Sequence, residues 1–305
     1  MSEKMDRRRF FQGTSAVALA TTGWLAAGGR RADAIEPIKR NGQPKFKFSL
    51  AAYSYRKLLT GNPPELTLLD FIDDCAALEL EGTELTSYYF PKEVTPEYLR
   101  KLKRHAFRLG LDISGTAVGN DFGHPEGPQR QQQIDMVKQW IEYAEILNAP
   151  VIRVFAGHKK AKISVEQTHE LIVSGLQEVC EYAGTHGIHL ALENHGGPTA
   201  SAEGLMAIVN DVDSPWFGVN LDTGNFRAAD VYGDLARVAP YALNVQVKVV
   251  VNHGGTQQPA DYGRIAEILR QANYRGYVVL EYEESGDVQE ECRKHMDALR
   301  KAFAA

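Results

Sequence analysis

Apolar and polar residues alternate with two different periods along this chain, and the period switches repeatedly. Short runs with a two-residue period, the signature of strands packed on one face, fall at Phe46–Ala52, Gly82–Thr86, Asp112–Val118, Val151–Ala156, Ile188–Glu193, Phe217–Asp222, Leu243–Val249 and Tyr277–Glu283. Between them lie segments with helical spacing. Thr95–Leu109 opens on Thr95-Pro96-Glu97, Gln129–Leu147 follows a proline, and Ser164–His186 closes at Gly187, each with the start and stop residues helices favour. Strand and helix therefore alternate eight times without an all-β block, which predicts a parallel sheet closed as a single (β/α)8 barrel over residues 46–305. The competing open, doubly wound sheet is weakened because no Gly-x-Gly-x-x-Gly turn follows the first strand.

Parity within the strands separates an outer from an inner face. The fifth strand sets Ile188, Leu190 and Leu192 against His189, Ala191 and Glu193, and the sixth sets Phe217, Val219 and Leu221 against Gly218, Asn220 and Asp222. The seventh turns Asn244, Gln246 and Lys248 inward, and the eighth Val279 and Glu281. Glu84 and Arg153 sit at the inward parity of the second and fourth strands. Either of these taken alone reads equally well as half of a structural ion pair. Several polar groups converging at the C-terminal ends of the strands predict a site, because barrel enzymes keep their chemistry there. Buried carboxylates without partners cost several kcal/mol each, so the cluster needs cations. Arg153 and Lys248 supply two, and a divalent metal would supply the remainder.

The segments Leu192-Glu193-Asn194-His195-Gly196, Leu221-Asp222-Thr223-Gly224-Asn225, Val245-Gln246-Val247-Lys248 and Val279-Leu280-Glu281 resemble the xylose isomerase-like TIM-barrel superfamily, which includes sugar isomerases and epimerases, inosose dehydratases and the AP endonuclease family. The resemblance implies one divalent metal held by Glu193, Asp222, Gln246 and Glu281. An oxygen-only shell favours Mn²⁺ or Mg²⁺, with Co²⁺ or Zn²⁺ also accommodated. It further implies that Glu193 and Glu281 act as acid and base around an enediolate. Many ketose epimerases of this type have His where Gln246 stands and another His where Asn225 stands, and their substrate-binding Arg after the seventh strand is replaced by the neighbourhood of Asn252 and His253.

Around this set, His195, Arg153, Lys248, Glu84, His253 and Asn225 are the expected substrate-binding residues. His124 and His158 fall on predicted mouth-side loops. His105, His169, His186 and His295 read as helix-surface residues, and His189 as a core residue near the barrel floor. Tyr53, Tyr55, Tyr88 and Tyr89 offer either an aromatic wall for a sugar ring or packing for helices.

The expected activity is a metal-dependent isomerase or epimerase acting on a non-phosphorylated carbohydrate. A lyase or dehydratase on a keto-sugar or 3-keto-glycoside, using the same metal, is the second reading, and a non-catalytic sugar-binding barrel the third. A formal net charge of -5 and the lack of a long basic run argue against nucleic acid as partner, and with it against the endonuclease branch. A mean hydropathy of -0.32 fits a globular chain; a homo-oligomer is compatible with it. Cys75, Cys180 and Cys292 are too few and scattered for a disulfide framework or thiolate metal site and read as buried thiols, with pairing of Cys75 and Cys292 left open.

Residues 1–34 form a separate segment. Asp6-Arg7-Arg8-Arg9-Phe10-Phe11 precedes a modest apolar stretch, and Ala32-Asp33-Ala34 ends it, a pattern that resembles a twin-arginine signal peptide. The stretch is too short for a stable membrane anchor. This predicts export to the periplasm through the twin-arginine machinery, followed by a linker over residues 35–45.

Overall fold

A computed structural model of the chain describes residues 35–304; the signal-peptide expectation lies outside them. Eight parallel strands close into a barrel: β1 (Lys45–Ala51), β2 (Gly82–Thr86), β3 (Asp112–Ala117), β4 (Val151–Val154), β5 (His189–Glu193), β6 (Phe217–Asp222), β7 (Ala242–Lys248) and β8 (Arg275–Glu281). Each pairs with its sequence neighbours, and β1 pairs with β8 in the register Lys45↔Arg275 through Leu50↔Leu280. One helix follows each strand: α1 (Leu68–Ala77), α2 (Pro96–Arg108), α3 (Pro128–Leu147), α4 (Val165–Thr185), α5 (Ala202–Asp211), α6 (Val231–Val238), α7 (Tyr262–Gln271) and α8 (Val288–Ala304). The fold is the (β/α)8 barrel that the pattern predicts.

Local chemistry explains where the helices begin and end. Thr67 and Asp70 form a reciprocal capping box at the start of α1, as do Ser164 and Gln167 at α4, each satisfying two backbone donors that the first turn leaves unpaired. Thr95 caps α2, with Pro96 supplying a backbone already set for helix at its first position. Leu99, Leu102 and Ala106 form its buried face, and each leucine contributes roughly 1.5–3 kcal/mol by leaving water. The outward residues Leu190, Leu192, Val219, Leu221, Val245 and Val247 are almost completely buried between sheet and helices. All three cysteines are buried and free, which settles the Cys75–Cys292 question against a disulfide.

The strand pattern left one feature out. Arg227–Ala228, Val250–His253 and Thr256–Pro259 form a small three-stranded sheet beyond the mouth ends of β6 and β7. Its hairpin turns at Gly254 and Gly255, with φ of 60° and 79°, the left-handed region that two-residue hairpins require and glycine enters without strain. Strands of two to four residues carry too little alternation to be read from sequence; the Gly-Gly pair was the available signal. Among the described residues, no helix is long and apolar enough to cross a membrane.

Candidate active site

The barrel interior contains two polar layers at different depths. In the lower one, the Glu84 carboxylate accepts from Gln246 Nε2 at 2.6 Å and from Asn244 Nδ2 at 2.8 Å. Asn220 Nδ2 donates to Gln246 Oε1 at 2.6 Å and Asn220 Oδ1 accepts from Asn244 at 2.9 Å. Four inward side chains from β2, β6 and β7 thus bond one another in a closed set. Burial raises the Glu84 carboxyl to about 7.

Above it lie the carboxylates. Glu193 ends β5, Asp222 ends β6 and Glu281 ends β8, all of them buried. Asn194 fixes the relative height of the first two: its Nδ2 donates to the Asp222 carbonyl at 2.8 Å and its Oδ1 accepts from the Asp222 amide at 2.9 Å. Asp222 Oδ1 accepts from Gly224 N at 2.8 Å. A Cβ on Gly224 would stand 2.6 Å from Lys248 Cγ and 2.8 Å from the Val250 carbonyl, so only glycine lets the chain turn this closely over the lysine.

Two cations meet these groups. Arg153 Nε lies 2.8 Å from Glu193 Oε2 as an ion pair, out of line for a hydrogen bond, while another guanidinium nitrogen donates to the Val118 carbonyl at 2.7 Å. The guanidinium stacks 4.0 Å from the centre of the Phe155 ring, and that ring is 4.4 Å from His195. Lys248 Nζ sits 3.3 Å from Asp222 Oδ2, contacts Glu281 Oε2, and lies 2.6 Å from Glu283 Oε1. Asn225 donates to Glu193 Oε1 at 2.9 Å.

The charges do not balance. Glu193, Asp222, Glu281 and Glu283 face Arg153 and Lys248, four carboxylates against two cations. Burial raises the Asp222 carboxyl to about 7, and burial likewise raises Glu193 well above the carboxylate range. Burial opposes the charge on Lys248, but Asp222, Glu281 and Glu283 outweigh it and hold the ammonium well above its ordinary value. His195 is lowered by burial and then by Arg153 and Lys248, which disfavours the charged imidazolium. Asp222 Oδ2 is buried with no hydrogen-bond partner.

These observations test the metal expectation. With all four carboxylates ionised the site lacks two positive charges, and that deficit, together with a buried Asp222 Oδ2 that accepts no hydrogen bond, fits a divalent cation held by Glu193, Asp222 and Glu281. Gln246 is placed differently: both ends of its amide are engaged in the lower layer. As the side chains stand, no group of three His, Cys, Asp or Glu among the described residues closes on a single point, because the Lys248 ammonium lies between Asp222 and Glu281.

The other expected residues divide. His195, Arg153 and Lys248 line the mouth with Tyr53, Tyr88 and Phe155, and Asn225 reaches Glu193 from the next loop. Glu84 lies beneath the mouth, in the closed lower layer. His253 belongs to the small sheet, where its Nδ1 accepts from Val231 N at 3.3 Å and its ring packs on Tyr232; it is not among the residues lining the mouth. Tyr55 packs against Phe71 in the core. His124 and the His158 amide meet Asp121, which ties two mouth loops together with Lys160. His105, His169 and His186 pair with Asp73, Asp211 and Glu145 on helix surfaces, and His189 stacks on Trp216. Sequence reasoning missed Asn194 as a clamp and Glu283 as a lysine partner. Asn194 lies inside the Leu-Glu-Asn-His-Gly segment, and Glu283 ends the predicted eighth strand at the inward parity of Glu281.

Comparison with known proteins agrees with this architecture. An uncharacterised protein of Methanocaldococcus jannaschii is 25% identical over 218 residues, covering 65% of this chain and 72% of that protein. The D-psicose 3-epimerase of Clostridium cellulolyticum H10, solved with D-tagatose, superposes with a TM-score of 0.70 at 16% identity, over 84% of this chain and 99% of the epimerase. The 3-keto-D-glucoside 4-epimerase of E. coli superposes with a TM-score of 0.66 at 15% identity, over 84% and 100% of the two chains. At these identities the solved structures establish the shared fold. The family described as xylose isomerase-like TIM barrel matches residues 72–302, and the chain belongs to that family.

Proposed function

We propose that this protein is a divalent-metal-dependent isomerase or epimerase of a non-phosphorylated carbohydrate. The observation that carries the reading is the charge deficit at the mouth: four carboxylates against two cations, with Asp222 Oδ2 accepting no hydrogen bond. The sugar-epimerase neighbours support the reaction class. The same excess of negative charge disfavours a phosphate dianion, and Arg153 is already engaged by Glu193.

A divalent cation held by Glu193, Asp222 and Glu281 would supply Lewis-acid polarisation of a substrate carbonyl; Mn²⁺ or Mg²⁺ suits these oxygens best. The remaining work falls to the chain. Glu281 takes the proton from the carbon beside the carbonyl, the C–H electron pair moves into the enediolate, and Glu193 returns a proton to that carbon from the other side, or to its neighbour in an isomerase. Arg153 holds Glu193 in place, Asn225 donates to its second oxygen, and Lys248 steadies Glu281 and offers a hydrogen bond to a substrate oxygen. His195 closes the wall beside Phe155.

The test is turnover of keto-sugars in D₂O by the mature protein supplied with Mn²⁺. Solvent deuterium on the reacting carbon, lost with Glu281→Gln along with roughly 10²–10⁴-fold of the rate, is expected. An unsaturated product identifies a lyase, and hydrogen transfer without solvent exchange removes the proton-transfer roles of both glutamates. Export is proposed with this function and rests on the Arg7-Arg8 segment. A tagged precursor with Arg7→Lys and Arg8→Lys is expected to stay in the cytoplasm; export equal to the wild type overturns the twin-arginine reading.

A further inference from the structure

The mouth is divided into two lobes by one saddle. Lys248, Glu281 and Glu283 line both. On one side, Tyr53, Tyr88, Phe155 and His195 wall a space of about 160 Å³. On the other is a space of about 110 Å³ lined by Asn225, Arg227, Asn252, Gln257 and Glu284. The first wall is made of rings and suits the apolar face of a sugar ring. The second has no aromatic residue and alternates donors with acceptors.

The outer wall of the polar lobe lies beyond the barrel. Arg227, Asn252 and Gln257 come one each from the three strands of the small outer sheet, and Gln257 sits directly opposite Asn252 in its hairpin register. Asn252 Oδ1 is buried with no hydrogen-bond partner. An unpaired buried acceptor costs about 1–3 kcal/mol; Asn252 lines this lobe, so a sugar hydroxyl reaching its amide would satisfy that oxygen. Glu283 and Glu284 make the lobe hostile to phosphate or carboxylate, so the group it takes is neutral and rich in hydroxyls.

We propose that the substrate is a two-ring carbohydrate, a neutral glycoside. Its reacting ring lies in the aromatic lobe against Glu193 and Glu281, and its second ring lies across the saddle in the polar lobe, read by Arg227, Asn252 and Gln257. This rests on the reading of the mouth as a carbohydrate site. It adds that the outer sheet selects linked sugars over free monosaccharides. No chemistry occurs in the second lobe, so its contribution appears in affinity.

The test is calorimetric binding to the full mature protein with Mn²⁺ present, using fructose against lactulose and glucose against cellobiose. In at least one pair the two-ring sugar is expected to bind about tenfold more tightly, the yield of one or two net hydrogen bonds. In Arg227→Ala/Gln257→Ala the ratio within that pair should fall to about one. Gln257→Trp, which fills the lobe from an exposed position, should reverse the preference; both variants are checked by thermal melting. Equal affinity for the one- and two-ring sugars in both pairs overturns the proposal while leaving the carbohydrate reading intact, as does a ratio that the variants do not change. Binding of none of the four sugars overturns both.

Discussion

The two polar layers inside this barrel both hold buried carboxylates, to opposite ends. In the lower layer Glu84, Gln246, Asn244 and Asn220 are bonded to one another, and none of their buried side-chain atoms is left without a partner. In the upper layer anions outnumber cations, and Asp222 Oδ2 has no hydrogen-bond partner. A closed network rigidifies; an open one stores free energy that a ligand can release. Buried charge alone therefore does not mark a site. What marks it is charge left without a partner.

That contrast can be broken by experiment. Asp222→Ala is expected to abolish metal uptake and reduce turnover by more than the roughly 10–100-fold typical of groups that only orient a ligand, while the metal-free melting temperature stays level or rises. A large loss of metal-free stability would show the upper layer to be structural. Glu84→Leu should do the reverse. It strands the amide donors of Gln246 and Asn244 at about 1–3 kcal/mol each, so chemical denaturation should report a loss of roughly 2–6 kcal/mol, and an unchanged midpoint would undo the comparison.

The pH dependence sharpens it further. Asp222, raised to about 7 from an ordinary 3.8, binds its proton more tightly when folded, and Glu193 is shifted the same way. The stability tied to those protons is full below the unfolded value and is lost as pH rises through the folded one. Metal-free protein should therefore melt progressively lower between about pH 4 and 7, by up to about 1.4 kcal/mol per unit for each ionising group. Added Mn²⁺ should flatten the curve, and parallel curves with and without the ion would separate metal from these carboxylates. The smallest effect belongs to Asn225→Ala, which frees Glu193 Oε1: about tenfold in turnover, with metal content unchanged.

Much of this was legible in the sequence because a strand exposes its parity directly. A period of two places Glu193, Asp222, Lys248 and Glu281 on the interior without reference to any other part of the chain. Depth is less accessible. Whether Gln246 faces up to a ligand or across to Glu84 depends on the stagger of β7 against β2, strands far apart in sequence whose relation emerges only when the barrel closes. Glu283 closes the predicted eighth strand at the parity of Glu281, but β8 itself stops at Glu281, and past a strand's end parity does not say what a side chain meets. His253 was misjudged by proximity, since the chain leaves β7 into a hairpin that turns the imidazole toward Tyr232.

The junction of β1 with β8 has a consequence for the protein's synthesis. Arg56 reaches across it to the carbonyl of Tyr282, 226 residues later, and Glu281 stands on the strand that makes the closure. A chain still emerging from the ribosome therefore lacks its last carboxylate and presents the bare edges of β1 and β7 to any neighbouring strand. Completion removes both edges and assembles the four-carboxylate mouth together. No nascent chain that stops short of β8 carries the full constellation, so the charged cavity first exists once the barrel can close.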